Sequence, residues 1–327
     1  MKKKEKLLIA LLVILVVGGA VLFLIFDYQK QNSHDVGGYG TTGSYDEYKH
    51  ITVDGVSYKY NPRLDTILYM GVDSSDQIGE GSVGQADTIM LFVMNKDTNG
   101  LTVINLSRDT MTDVQSYDVQ GSLVGTVTQH LGYAYTFGGG KEKSAQNVIW
   151  SVSRLLGGIP IDEYCATDIS SITSINDMAG TITVTVPNND LAGIYTEMYK
   201  GNTVTLTKDN VEKFVRYRDT NVEFSNNGRR ERQKAYLDAY LPALKSALKD
   251  DPEGMWKKFT GIQKDVVTSI SKKKYAAIVN DFGGMDTANI TFYTPSGEDK
   301  QGSRHDEFYI DKDELQGKIL EIFYIKD

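Results

Sequence analysis

The chain has 327 residues, 40% hydrophobic and 24% charged, which excludes wholesale disorder and leaves room for one large domain or two small ones. A single cysteine excludes a disulfide framework or cysteine-cluster metal site, and four scattered histidines form no His-x-x-x-His pair for a zinc hydrolase. The net charge of −8 argues against a nucleic-acid partner, which would need a basic face.

In chain order, residues 1–6 carry four lysines and one glutamate and read as a cytoplasmic tail. Residues 7–26 contain no charge and would span about 30 Å as a helix, one hydrocarbon thickness. The run ends in Phe-Leu-Ile-Phe rather than an Ala-x-Ala-like cleavage site, so it reads as an uncleaved single-pass anchor in the cell membrane. Lysines before it and few charges after it place the N-terminus in the cytoplasm and the remaining chain outside. Residues 27–50 are polar and glycine-rich, a flexible linker to an extracytoplasmic domain at 51–327.

That domain opens with a hairpin at 51–60 turning on Asp54-Gly55. Near-continuous apolar runs at 66–72, 88–95 and 101–106 predict strands covered on both faces, the last two joined as an antiparallel hairpin through Asn99-Gly100. Apolar residues at helical spacing from Ala145 to Leu156 predict a helix stopped by Gly157. Cys165 in EYCATD is expected mid-strand as a core residue, and 181–187 is expected to be a strand. Helices are expected at 208–217 and 229–249, the second bent or broken near Pro242, with further helical segments over 253–282. Strands at 289–293 and 307–310 and a helix at 312–323 close the chain. Strands and helices mix throughout, which predicts one α/β domain with a mixed central sheet between helical layers.

Three groups of residues can carry chemistry. Asp73 follows the strand 66–72 and Asp87 precedes the strand 88–95; carboxylates at neighbouring strand ends can share Mg2+, or can serve only as turn residues. Ser107-Arg108-Asp109-Thr110 follows the strand 101–106; Arg108 can face a phosphate with two N–H groups, or can form a surface pair with Asp109. Arg216, Arg218, Arg229, Arg230 and Arg232 crowd into 17 residues of an acidic chain, with Arg229 and Gln233 one helical turn apart. They form either a local anion site or a solvated face. His130 and Tyr133 can line a site, with buried packing as the alternative. There is no Gly-x-x-x-x-Gly-Lys loop, Gly-x-Ser-x-Gly elbow or Ser-x-x-Lys motif.

Taken in order, Gly71-Val72-Asp73-Ser74, Ala86-Asp87-Thr88-Ile89-Met90, Ile104 through Thr110, His130-Leu131-Gly132-Tyr133-Ala134, Arg216-Tyr217-Arg218 and Gly228-Arg229 through Gln233 resemble the LytR-CpsA-Psr family of Gram-positive wall enzymes. The resemblance covers about residues 64–250. It implies a single α/β/α sandwich whose hydrophobic pocket holds a lipid chain. It also implies a phosphotransferase that moves a glycopolymer (teichoic acid, capsule or another wall glycan) from a polyprenyl-pyrophosphate carrier onto peptidoglycan. Carried over by position, Asp73 and Asp87 would hold Mg2+ or Mn2+, and Arg108, Arg216, Arg218, Arg229 and Gln233 would bind the pyrophosphate. The family's frequent Asp-x-x-Gly-Arg is looser here, as Glu223 through Arg229. The acceptor hydroxyl needs a base, for which Asp73, Asp87 and Asp109 compete. A hydrolase using water as acceptor, and a non-catalytic lipid-pyrophosphate sensor, are the alternative functions.

Overall fold

The structure, a computed structural model, describes residues 48–73, 84–168, 171–217, 225–251, 266–271, 274, 277–278, 289–302 and 306–327. The expected tail, the anchor at 7–26, most of the linker and Arg218 lie outside the described residues. Among the described residues no helix is long and apolar enough to cross a membrane.

The chain forms strands β1 (His50–Val53), β2 (Val56–Tyr60), β3 (Leu64–Asp73), β4 (Gln85–Asn95), β5 (Gly100–Leu106), β6 (Met111–Tyr117) and β7 (Leu123–His130). Helices α1 (Tyr133–Phe137) and α2 (Lys141–Leu155) follow, then β8 (Glu163–Asp168), α3 (Ile172–Met178), β9 (Ile182–Thr185) and β10 (Thr203–Leu206). Next come α4 (Val211–Arg216), α5 (Ser225–Asp250), β11 (Val266–Thr268), β12 (Ile290–Tyr293), β13 (Gly297–Gln301) and β14 (Asp306–Ile310). The chain ends with α6 (Lys312–Phe323) and β15 (Tyr324–Lys326). These elements fall into two compact units: one within Ser170–Asp265, the other holding the described residues before 170 and from 266 onward.

The larger unit is built on a six-stranded mixed sheet in the order β11-β8-β3-β4-β5-β12. β3–β8 and β5–β12 are parallel, and the other neighbours are antiparallel. One face carries Leu68, Met70, Val72, Ile89, Leu91, Val93 and Ile104, on which α2 packs Ala145, Val148, Ile149, Val152 and the following Leu156. Alternation puts Ile67, Phe92, Met94, Leu101, Val103 and Cys165 on the other face, and all are buried. Two buried faces explain the unbroken apolar runs. The amphipathic stripe of α2 is therefore satisfied by the sheet itself.

Asn147 stands inside this core, fully buried. Its amide donates to the carbonyls of Gln115 at 3.0 Å and Ala134 at 2.8 Å, and its Oδ1 accepts from the Gln115 N–H at 3.2 Å. It thereby joins α2 to β6 and α1. The β6–β7 hairpin was not anticipated from the sequence, because β7 lies exposed along most of its length and carries no two-faced apolar pattern.

The second unit holds the β9–β10 hairpin with α3, α4 and α5. Two expectations are corrected. The long helix begins at Ser225 and runs through Pro242 as one element instead of breaking there. Arg232, Tyr236 and Tyr240, spaced four residues apart, are buried along it, and the Tyr240 hydroxyl donates to the Ile175 carbonyl at 2.9 Å. That anchored face holds the helix across the one N–H donor that proline lacks. Within 253–282, where helices were expected, Val266–Thr268 is a strand paired with Cys165–Thr167, as its β-branched residues favour.

Replacing Asn147 by Ala strands three buried backbone groups. Urea unfolding should show a loss of about 2–3 kcal/mol. The melting midpoint should fall by roughly 5–10 °C. A shift within error would show that the network adds nothing to stability.

Candidate active site

Asp73 closes β3 and is buried, with 3% of its surface exposed. In the antiparallel register Gly71 faces Thr88, Val72 faces Ala86 and Asp73 faces Gln85, so Asp87 is an extra residue in β4 with no partner across. Ala86 points with Val72 into the α2-facing core. Asp87, the extra residue between Ala86 and Thr88, is half-buried at this irregularity. A bulge at a strand end commonly re-aims a side chain.

The segment after β5 comes to the same place. Arg108 Nη1 donates to Asp87 Oδ1 at 2.5 Å, and its Nε lies 3.5 Å from Asp109 Oδ1. Burial disfavours the Arg108 charge, but Asp87, by proximity and hydrogen bond, and then Asp109 outweigh it and hold the guanidinium above its ordinary value. Burial raises the Asp109 carboxyl above its ordinary value, against the lowering fields of Arg108 and His130, with Asp306 and Asp87 adding to the rise. Arg108 and Asp109 thus make the carboxylate contacts of the surface-pair reading, with Asp87 joined to them. They engage two guanidinium nitrogens of a group with five N–H donors.

The His130–Ala134 segment holds this arrangement through its backbone. Leu131 N–H donates to the Thr110 carbonyl at 2.8 Å, Gly132 N–H to the Arg108 carbonyl at 2.9 Å, and Ala86 N–H to the Gly132 carbonyl at 3.1 Å. Gly132 therefore bridges the bulged strand and the arginine turn. A Cβ there would lie 2.9 Å from the Ala86 oxygen and 3.2 Å from Arg108 Cβ, so only glycine permits the approach. His130 is buried, with Nε2 3.0 Å from the Asp306 carbonyl and Nδ1 2.7 Å from Gln129 Oε1, and its ring meets Tyr133 edge-on at 5.5 Å. The packing alternative holds for His130.

The second unit positions Arg216, Arg229 and Gln233. Arg216 is the last residue of α4, one residue short of the expected helix end at 217, and the chain turns to extended backbone at Tyr217. Its Nη1 donates to Glu212 Oε1 at 2.6 Å, one turn back. Arg229 and Gln233 lie in the first turns of α5. The residue that organises this region is Arg232, which the sequence reading left without a role. Fully buried, it donates through Nε to the Phe214 carbonyl at 2.9 Å, through Nη2 to the Tyr217 carbonyl, and through Nη1 to Asn188 Oδ1 at 3.0 Å and to Asp190. Asn188 Nδ2 donates to the Gly228 carbonyl at 2.9 Å, which ties the Asn188–Asp190 turn to the start of α5. The run Asn188-Asn189-Asp190 was the available signal, a cluster of side-chain acceptors beside an arginine-rich segment.

No cluster of three or more His, Cys, Asp or Glu suited to a metal occurs among the described residues. Two carboxylates still suit Mg2+, which is typically held by one or two carboxylates together with waters and substrate phosphate. Asp87 can serve there while paired, because one of its oxygens suffices for Arg108. Two cavities among the described residues, of about 810 and 920 Å3, are lined by neither Asp73 nor Asp87.

The raised Asp109 carboxyl has a consequence for stability. The folded state holds this proton more tightly than the unfolded chain, so stability falls as pH rises from the unfolded value, about 3.9, through the folded one. Asp109→Asn should therefore melt modestly above the wild type at pH 7, with the difference vanishing below about pH 4. A pH-independent difference, or a less stable variant at pH 7, would show that Asp109 is not held at a cost in the fold.

The family model described as the LytR_cpsA_psr family matches residues 36–320. A polyisoprenyl-teichoic acid–peptidoglycan teichoic acid transferase TagU from Bacillus cereus is 27% identical over 211 residues, 63% of this chain and 60% of that protein. The TagU of Bacillus subtilis is 27% identical over 179 residues, 54% of this chain and 51% of that protein. The chain thus spans 60% or less of these two relatives. The crystal structure of B. subtilis TagV superposes with a TM-score of 0.56 at 21% identity, covering 80% of this chain and 97% of that one. These structural likenesses bear on the fold, and they agree with the mixed α/β sheet described above. With the family model matched across most of its length, this chain belongs to the LytR_cpsA_psr family.

Proposed function

We propose that this protein is a phosphotransferase that moves a polyprenyl-pyrophosphate-linked wall glycopolymer onto peptidoglycan. The observation that carries the reading is the contact of Arg108 with both Asp87 and Asp109, on the family's motif positions. The activity printed for the TagU relatives supports the choice of substrates. The N-terminal apolar run, by the same reading, anchors the enzyme in the cell membrane with its catalytic domain outside.

In this reaction an acceptor hydroxyl oxygen forms a bond to the glycan-side phosphorus of the pyrophosphate. The bridging P–O bond breaks, and its electron pair leaves with polyprenyl phosphate. Such chemistry needs charge neutralisation and alignment more than covalent help. Asp73 and Asp87 would hold Mg2+ or Mn2+, which would neutralise pyrophosphate charge. Arg108, kept fully charged by Asp87 and Asp109, binds a phosphoryl oxygen through its remaining donors. Arg216, Arg218, Arg229 and Gln233 are assigned to pyrophosphate oxygens by family membership. Asp109 takes the acceptor proton. Burial raises its carboxyl above the ordinary value, which favours its holding a proton.

The test uses the purified full chain in detergent with a polyprenyl-pyrophosphate glycan, peptidoglycan and Mg2+. The expected products are peptidoglycan-linked glycan and one polyprenyl phosphate per transfer, both abolished by EDTA. Arg108→Lys keeps the charge but not the planar fork, and should lower transfer on the order of 10- to 100-fold with little change in melting midpoint. Release of polyprenyl phosphate at the same rate without peptidoglycan, with no glycan attached to the wall polymer, would instead make the protein a hydrolase.

A further inference from the structure

The larger described cavity, about 920 Å3, is a groove walled by β6, the C-terminal end of α2, β1, β14 and α6. Its volume is in the range of sites that hold extended small ligands. Thr110, Thr112 and Val114 of the β6 segment are buried. Alternation therefore sends Met111 and Asp113 outward on the same side, and Asp109 precedes them in the turn that Thr110 N–H closes on the Ser107 carbonyl at 3.1 Å. Met111 and Asp113 line the groove. β14 joins at the same point, where Phe308 N–H donates to the Asp109 carbonyl at 2.8 Å and Thr110 forms a single bridge to Phe308. The next residue, Tyr309, lines the groove. The segment that carries Asp109 thus continues directly into the groove wall.

The lining is amphipathic. Aliphatic side chains such as Ile51, Leu155 and Leu320 form much of the wall, Tyr48 and Tyr309 supply aromatic surface, and Tyr309 is 40% exposed, its hydroxyl donating to Glu307 at 2.7 Å and its ring under Lys300 Nζ at 5.0 Å from the centroid. Beside them stands the Asp113–Arg154 pair, Nε to Oδ2 at 2.6 Å, with Thr52 and Thr128 nearby. Aromatic faces matched to apolar C–H surfaces, with charged and hydroxyl groups at the margin, suit a sugar chain, whose rings offer an apolar face and a polar edge. The exposed Asp113–Arg154 pair and both threonines offer a sugar's hydroxyl edge partners that a polyprenyl tail could not use.

We infer that this groove binds the peptidoglycan glycan strand as acceptor, with Tyr309 as a stacking platform, so that an acceptor hydroxyl arrives at Asp109. The inference rests on the transferase reading for the identity of the sugar. Two measurements separate the fate of the groove from the fate of that reading. In the first, the full chain in detergent is titrated with a soluble peptidoglycan tetrasaccharide, without any lipid donor. Tyr309→Ala should weaken binding about 10-fold and Tyr309→Phe should leave it within about two-fold. In the second, under turnover, Tyr309→Ala should raise the acceptor KM about 10-fold without raising the donor KM. Equal tetrasaccharide affinity for wild type and Tyr309→Ala in a variant with an unchanged melting midpoint overturns the inference. A rise confined to the donor KM does so too, by placing the lipid-linked substrate there. Tetrasaccharide binding that follows the Tyr309 pattern in a protein with no transfer activity supports the groove and sinks only the transferase reading.

Discussion

The arrangement of the larger unit turns on one peptide unit, Gly132, hydrogen-bonded to both Arg108 and Ala86. Asp87 sits on one strand and Arg108 beyond the end of the next, so neither strand alone sets their spacing. The bridging bonds do, and they form only because no Cβ intervenes between Gly132, the Ala86 carbonyl and the Arg108 side chain. With that approach fixed, the bulge at Asp87 has a defined direction and the Asp87–Arg108 contact follows. The sheet behind supplies rigidity, because buried residues on both faces leave its strand ends little freedom to shift.

A second constraint of the same kind operates in the other unit, through a side chain. Arg232 is a buried charge, which is costly unless paired and hydrogen-bonded. It meets the requirement by taking the two carbonyls at the end of α4 and the side chains of Asn188 and Asp190. Those bonds define where α4 stops and how α5 begins, and so where Arg216 and Arg229 are presented. Of the arginines gathered in this stretch, one therefore acts as scaffold. Composition treated all of them alike.

The sheet strands were legible because burial on both faces writes long apolar runs into the sequence. The helix over 141–155 was legible because its apolar residues recur at the helical period. The β6–β7 hairpin and the β9–β10 pairing were not anticipated, since short exposed strands carry little pattern of their own. Of the bend or break expected at Pro242, the break does not occur, because a face anchored by Arg232, Tyr236 and Tyr240 keeps the helix continuous.

The sequence by itself determined the mixed α/β class, the main strands and the family, and it singled out Asp73, Asp87, Arg108 and Asp109 as candidates for chemistry. These are properties of local pattern and of residue type at strand ends. Tertiary structure alone decided that Asp87 is the unpaired residue of a bulge, that Arg108 contacts it directly, and that burial raises the Asp109 carboxyl. It alone decided that Arg232 is structural and that a groove opens along β6. Each of these depends on segments far apart in the chain meeting at hydrogen-bonding distance, and no period or spacing along one strand encodes such a meeting.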